Sequence, residues 1–229
     1  MTKEENVIKF YCICNRLKNI IRKGWRTWNV KRERLESVAE HTFSTQMLAI
    51  AIKSEYEYDI DIMKVIYMLA IHELGEAIID DLNQFEISSE EKKEMEHKAV
   101  HEILKGLLDG NKIEELFLEF DEKKSKEAFF AYQCDKLECD LQCKLYDEED
   151  CVNLTDPTID TDVLNNPLVK EFLESEKEWS TMWLKFGQRV YPYDDNFRAI
   201  SNYAINNEIH GYTKIPTVKD GKEIKQKVV

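Results

Sequence analysis

Four prolines and seven glycines in 229 residues leave few chain-breaking positions, so a fold rich in tight turns is excluded and long helices are favoured. No apolar run approaches the length of a membrane span, and membrane association by a spanning helix is not expected. The amino-terminal MTKEENVIKF begins charged and lacks an apolar signal core, which points to a cytoplasmic protein. Positive charge is also short: 32 Lys and Arg stand against 45 Asp and Glu, a net charge of −13. That balance argues against broad binding to nucleic acid or membrane, though not against a local basic pocket. The six cysteines (12, 14, 134, 139, 143 and 151) form no C-x-x-C pair and read as buried hydrophobes or partly exposed thiols.

What is present is 43 % hydrophobic and 34 % charged, with apolar residues at helical spacing. The periodicity predicts helices over 5–22, 37–53, 67–81, 88–108, 111–120, 124–148, 168–186 and 195–208, with a loop, LNQFEISS, over 82–89. Two S-x-x-E capping boxes, Ser37 with Glu40 and Ser88 with Glu91, mark helix starts. The expected architecture is all-α, with a main helical domain over 1–150, a packed helical layer over 151–210 and a frayed tail over 211–229. The aromatic residues of that layer are compatible with a homodimer, and equally with a monomer that folds them inward.

The stretch YMLAIHELGEAIIDD, 67–81, stands out. Met68, Leu69, Ile71, Leu74, Ala77 and Ile78 predict a burying helix, yet it carries His72, Glu73, Glu76, Asp80 and Asp81. Buried charge must be paired or bound to a metal, and this stretch has no basic residue. With His72, Glu76 and Asp80 expected on one helix face, one imidazole among carboxylates suits a divalent cation, and equally a core histidine beside a solvated acidic face. Elsewhere, His41 falls in the first turn of a helix, where the dipole favours a neutral ring. Asp135 lies inside an apolar helical pattern. His97 and His101 have i, i+4 spacing but sit on a polar surface. Residues 22–34, RKGWRTWNVKRER, hold six basic residues and two tryptophans, a combination that suits a phosphate and a base or sugar, the alternative being a solvated connection with its tryptophans tucked on the core.

The boxes ESVAEH (His41), His72-Glu73 and CDKLE (Asp135), in that order, resemble the HD-domain metal-dependent phosphohydrolases, whose pattern is H…HD…D. The run H-x3-E-x4-D (His72, Glu76, Asp81) and the upstream basic, Trp-containing segment are similar to the 5′-deoxynucleotidase branch. The resemblance covers about residues 5–150. It implies a helical HD-domain bundle and one divalent metal, Mn, Co or Mg, held by His41, His72, Glu73 and Asp135. It implies Glu76 and Asp81 as acids near the attacking water, and Arg22, Trp25 and Arg26 as substrate contacts. The substrate would be a small nucleotide, a (deoxy)nucleoside 5′-monophosphate hydrolysed at its phosphomonoester. Alternatives are another nucleotide, such as a triphosphate, or a catalytically impaired nucleotide-binding protein. The departure is His-Glu in place of His-Asp: Glu73 is one methylene longer, and metal sites tolerate only a few tenths of an ångström.

Overall fold

Ser37, Ser88 and Ser125 each cap a helix start with the hydroxyl, and the long helices begin where these residues place them. In the computed structural model, which describes residues 2–82 and 87–213 together with the backbone of 217–219 and 222–224, the chain is helical throughout its body. The first elements are α1 (Lys3–Cys14), a 3-10 turn (Asn15–Lys18), α2 (Lys23–Thr27) and α3 (Val38–Glu55). They are followed by α4 (Ile62–Ile71), α5 (Glu76–Ile79), α6 (Ser89–Leu104), α7 (Gly110–Asp121) and α8 (Lys126–Glu148). The carboxy-terminal part holds α9 (Thr161–Asn165), α10 (Pro167–Ser175), α11 (Trp179–Val190), α12 (Asp195–Asn206) and a 3-10 turn (His210–Thr213). Strands β1 (Thr217–Lys219) and β2 (Lys222–Ile224) pair as an antiparallel hairpin within the segment expected to fray. Part of that segment, and residues 83–86 of the loop expected at 82–89, lie outside the described residues.

Helix α8 is the central post. Its Phe130, Cys134 and Leu137 meet Ala49 and Ile52 of α3, Met68 and Leu69 of α4 and Phe197 of α12. A second cluster, Trp25, Trp28, Tyr146, Trp179 and Met182, ties α2 and α11 to the far half of α8. A third joins Val38, Ile71 and Leu74 to Val100, Ile103 and Phe117. Of the aromatic residues of the carboxy-terminal part, Trp179 and Phe197 point inward and are buried, whereas Tyr203 and Tyr212 are exposed. Among the described residues, no helix is long and apolar enough to cross a membrane.

Three expected helices differ. The first ends at Cys14 rather than near 22 and leaves Val7, Ile8 and Tyr11 exposed. The expected helix over 168–186 is two, parted at 176–178. The expected helix over 67–81 breaks after Ile71; residues 72–75 form turns, and α5 is a single turn. Asp80 then takes a left-handed backbone (φ 69°) and does not share a helix face with His72.

Candidate metal centre

The entry to α3 does two jobs. Ser37 and Glu40 exchange capping hydrogen bonds, so Glu40 is occupied by the helix terminus. His41 follows in the first turn and is fully buried against α8. Residues 20–22 run beside the box: Val38 N–H donates to the Ile20 carbonyl (2.8 Å) and Arg22 N–H to the Glu36 carbonyl (3.1 Å). This pairing brings Arg22 next to the histidine although the basic segment loops away between them.

Helix α8 presents Asp135 and Glu138 three residues apart, on one face. His41 sits between them, with Nε2 3.1 Å from Asp135 Oδ1 and Nδ1 2.5 Å from Glu138 Oε2. His72 caps α4, and its Nδ1 lies 2.7 Å from the Leu69 carbonyl. A carbonyl only accepts, so Nδ1 carries the proton and Nε2 offers a lone pair. That Nε2 is buried without a hydrogen-bond partner. It stands 3.6 Å from Glu73 Oε1 and 3.8 Å from Asp135 Oδ1. His41 Nε2 is 3.7 Å from the same Glu73 oxygen.

Donor atoms of His41, His72, Glu73 and Asp135 thus all lie within 4.8 Å of one another. A first-row cation with bonds of roughly 2.0–2.2 Å holds neighbouring donors about 3 Å apart and opposite ones a little over 4 Å apart. Two imidazoles, two carboxylates and an orphaned lone pair fit such an ion. The extra methylene of Glu73 is accommodated in a turn rather than a helix, and Arg22 Nη1 steadies the carboxylate at 3.3 Å.

The electrostatics favour ligation at three of the four positions. Burial pushes His72 down, keeping it neutral. Burial opposes ionisation of Glu73, but the charges of Arg22 and His41 act against it and hold the carboxyl down. Asp135 is likewise held well below its usual range, against burial, chiefly by Lys136 and His41. His41 departs from the neutral ring expected of a helix start. Burial and the Arg22 charge disfavour its proton, but Glu138 and Asp135 outweigh them and push it up to about 10. The two carboxylates, not the helix dipole, decide its state, and a cation would have to displace that proton.

Behind His41 lies a second buried group, Glu36 with Glu138. A carboxylate on the far nitrogen of a ligating histidine fixes the ring and raises its basicity. Glu36 is pushed up to about 7 by burial and by Glu138, and accepts the Trp25 indole N–H at 3.0 Å. Trp25 itself is 4 % exposed, its ring 5.1 Å from Tyr146 and 6.4 Å from Trp179. Where the sequence suggested a face for a nucleoside, the structure puts this indole in the core, holding Glu36. Arg26 is exposed on α2. Glu76 is 2 % exposed and paired with Lys92 at 3.3 Å, while Asp81 accepts the Lys23 backbone N–H at 2.7 Å. His97 and His101 stay apart from the cluster, each against an acid of α7: Asp121 at 2.8 Å and Glu114 at 3.1 Å.

A cleft of about 220 Å³ opens over the cluster. His72, Glu73 and Asp135 reach it, and Phe120, Tyr132, Lys92, Lys123 and Lys136 line it. Sequence reading missed these lysines, and it missed Glu36 and Glu138 as functional positions. Glu138 had a signal in its i+3 spacing from Asp135; the lysines, spread over α6, the α7–α8 corner and α8, had none.

A family model described as HD domain matches residues 14–178. The chain belongs to the HD-domain family. This HD-domain protein is 33 % identical over 152 residues to a 5′-deoxynucleotidase, HDDC2, of Dictyostelium discoideum, a match covering 63 % of this chain and 79 % of that one. It is 28 % identical over 197 residues to a 5′-deoxynucleotidase, hdd1, of Schizosaccharomyces pombe, covering 79 % of this chain and 96 % of the relative. Its fold is shared by the PH0347 protein of Pyrococcus horikoshii OT3, with TM-score 0.61, 23 % identity, and 87 % and 98 % of the two chains covered.

Proposed function

We propose that this HD-domain protein is a metal-dependent phosphohydrolase that cleaves the phosphomonoester of deoxynucleoside 5′-monophosphates. The observation that carries the reading is the buried, unpartnered Nε2 of His72, facing two carboxylates and a second imidazole at the floor of a lysine-lined cleft. The names of the curated relatives support the substrate class. Two imidazoles with two carboxylates suit Mn or Co better than Mg.

His41, His72, Glu73 and Asp135 would hold one ion. When bound, that ion supplies positive charge for a phosphate oxygen and for an attacking water. Glu138, through Nδ1 of His41, keeps that ring aimed at the cluster. Glu76 and Asp81 flank the same turn and serve to orient or deprotonate water. Arg22, Lys123 and Lys136 offset the charge that builds on the phosphoryl oxygens. The nucleoside rests outside the cluster, against residues other than the buried Trp25. We place the activity in the cytoplasm, consistent with six unpaired cysteines.

The test is direct. Purified protein with Mn or Co should release inorganic phosphate from dAMP, dCMP or dTMP, and His72→Ala should abolish the release. Undiminished activity in that variant, or pyrophosphate or triphosphate as the preferred product from longer nucleotides, would overturn the assignment.

A further inference from the structure

Glu76 is a buried carboxylate with one partner. Among the described residues only Lys92 Nζ reaches it, at 3.3 Å from Oε1, and Oε2 has none. The pair links distant parts of the chain. Glu76 opens the single-turn α5 directly after the His72-Glu73 turn, whereas Lys92 lies in the first turns of α6, across the loop. Lys92 is steadied from its own helix by Glu96, Nζ to Oε1 3.5 Å, one turn further on. Gly75, just before Glu76, lets α6 come this near: a Cβ there would stand 3.1 Å from the Glu96 Cα. Lys92 also lines the cleft over the metal cluster, so its stem spans from the cleft wall to the buried acid.

We propose that Lys92 is a positioning residue for the reaction, anchoring the Glu76 carboxylate beside the metal cluster so that it can orient the attacking water. A short helix of one turn has no internal rigidity to fix such a side chain, and nothing else described grips this carboxylate. Lys92 therefore fixes the place of the acid. The inference rests on the phosphohydrolase reading and adds to it a residue outside the family's histidine and aspartate motifs.

A double-mutant cycle on the full-length protein tests it, using Lys92→Met, Lys92→Arg and Glu76→Gln with dAMP and saturating Mn. Lys92→Met should lower kcat by about tenfold or more with KM within about threefold, and Lys92→Arg should recover most of the loss. With Glu76→Gln already present, Lys92→Met should change kcat by less than about twofold, because a residue acting through another adds nothing once that other is gone. Lys98→Met, on the exposed face of α6, serves as the control and should match wild type. Three results would overturn the proposal: a rise in KM at unchanged kcat, which marks direct substrate contact; an equal kcat loss in both backgrounds; or wild-type kcat in Lys92→Met. Wild-type phosphate release, measured alongside, reports separately on the phosphohydrolase reading. Should that release be absent, the same cycle is read from denaturation midpoints of the metal-free protein. There Lys92→Met should lower the midpoint with Glu76 present and leave it unchanged in the Glu76→Gln background; equal shifts in both backgrounds would refute the pairing.

Discussion

Two aspartates on α8, five residues apart, are both buried and have opposite fates. Asp135 (5 % exposed) is held well below the ordinary carboxylate range, because Lys136 and His41 overcome the cost of burial. Asp140 (3 % exposed) is pushed well above it by burial, then further by Glu138 and Asp135, with the Tyr193 hydroxyl (3.0 Å) and Lys136 opposing. Burial alone makes a neutral acid, suited to a hydrogen bond in the core. Burial among cationic groups makes an anion, suited to a metal. Asp135 accordingly belongs to the donor cluster, while Asp140 ties α8 to α11 and Tyr193 at the point where Gly187 passes.

The largest expected effect separates the two directly. Asp135→Asn should eliminate phosphate release, whereas Asp140→Asn, which imitates the neutral form that burial favours, should keep activity within about threefold of wild type. Equal losses in a steady-state assay would erase the distinction. Next comes the carboxylate behind His41. Glu138→Gln should weaken metal binding by roughly 10–100-fold, as losses of such supporting groups do, read by titration with a competing chelator. On the Asp140 side, a Cβ at Gly187 would overlap the Asp140 carboxylate. Gly187→Ala should therefore destabilise the fold by about 1–3 kcal/mol in urea unfolding, with the activity of the folded fraction retained.

The smallest effect is on pH dependence without metal. His41 is raised from an unfolded value near 6.5 to about 10, so its contribution is full below pH ~6.5 and is lost as pH rises toward 10. Glu36, raised to about 7, acts in the same direction over a lower range. The metal-free protein should melt at a lower temperature at pH 9 than at pH 6.5. His41→Gln should flatten the upper part of that slope, and an unchanged slope would show that His41 does not carry the proton.

How far the sequence reveals these regions depends on the range of the interactions. Capping boxes are local, and the starts of α3 and α6 were legible from Ser37 with Glu40 and Ser88 with Glu91. His41, His72, Glu73 and Asp135 were legible from residue type and order, and the fold gathers their donor atoms. The break after Ile71 was not, because apolar spacing continues across it through Leu74 and Ala77, both buried. Trp25 read as a substrate face because its real neighbours, Tyr146 and Trp179, lie more than a hundred residues away. The state of His41 was misjudged for the same reason: the helix start is visible in sequence, while Glu138 arrives from another helix.

The central claim is that counter-charge, not burial, makes the donor cluster a metal site. Elemental analysis of protein purified without chelator and supplied with Mn or Co tests it most directly. One ion per chain is expected in wild type and in Asp140→Asn, and none in Asp135→Asn. A metal-free wild type under saturating ion, or full occupancy in Asp135→Asn, would contradict it.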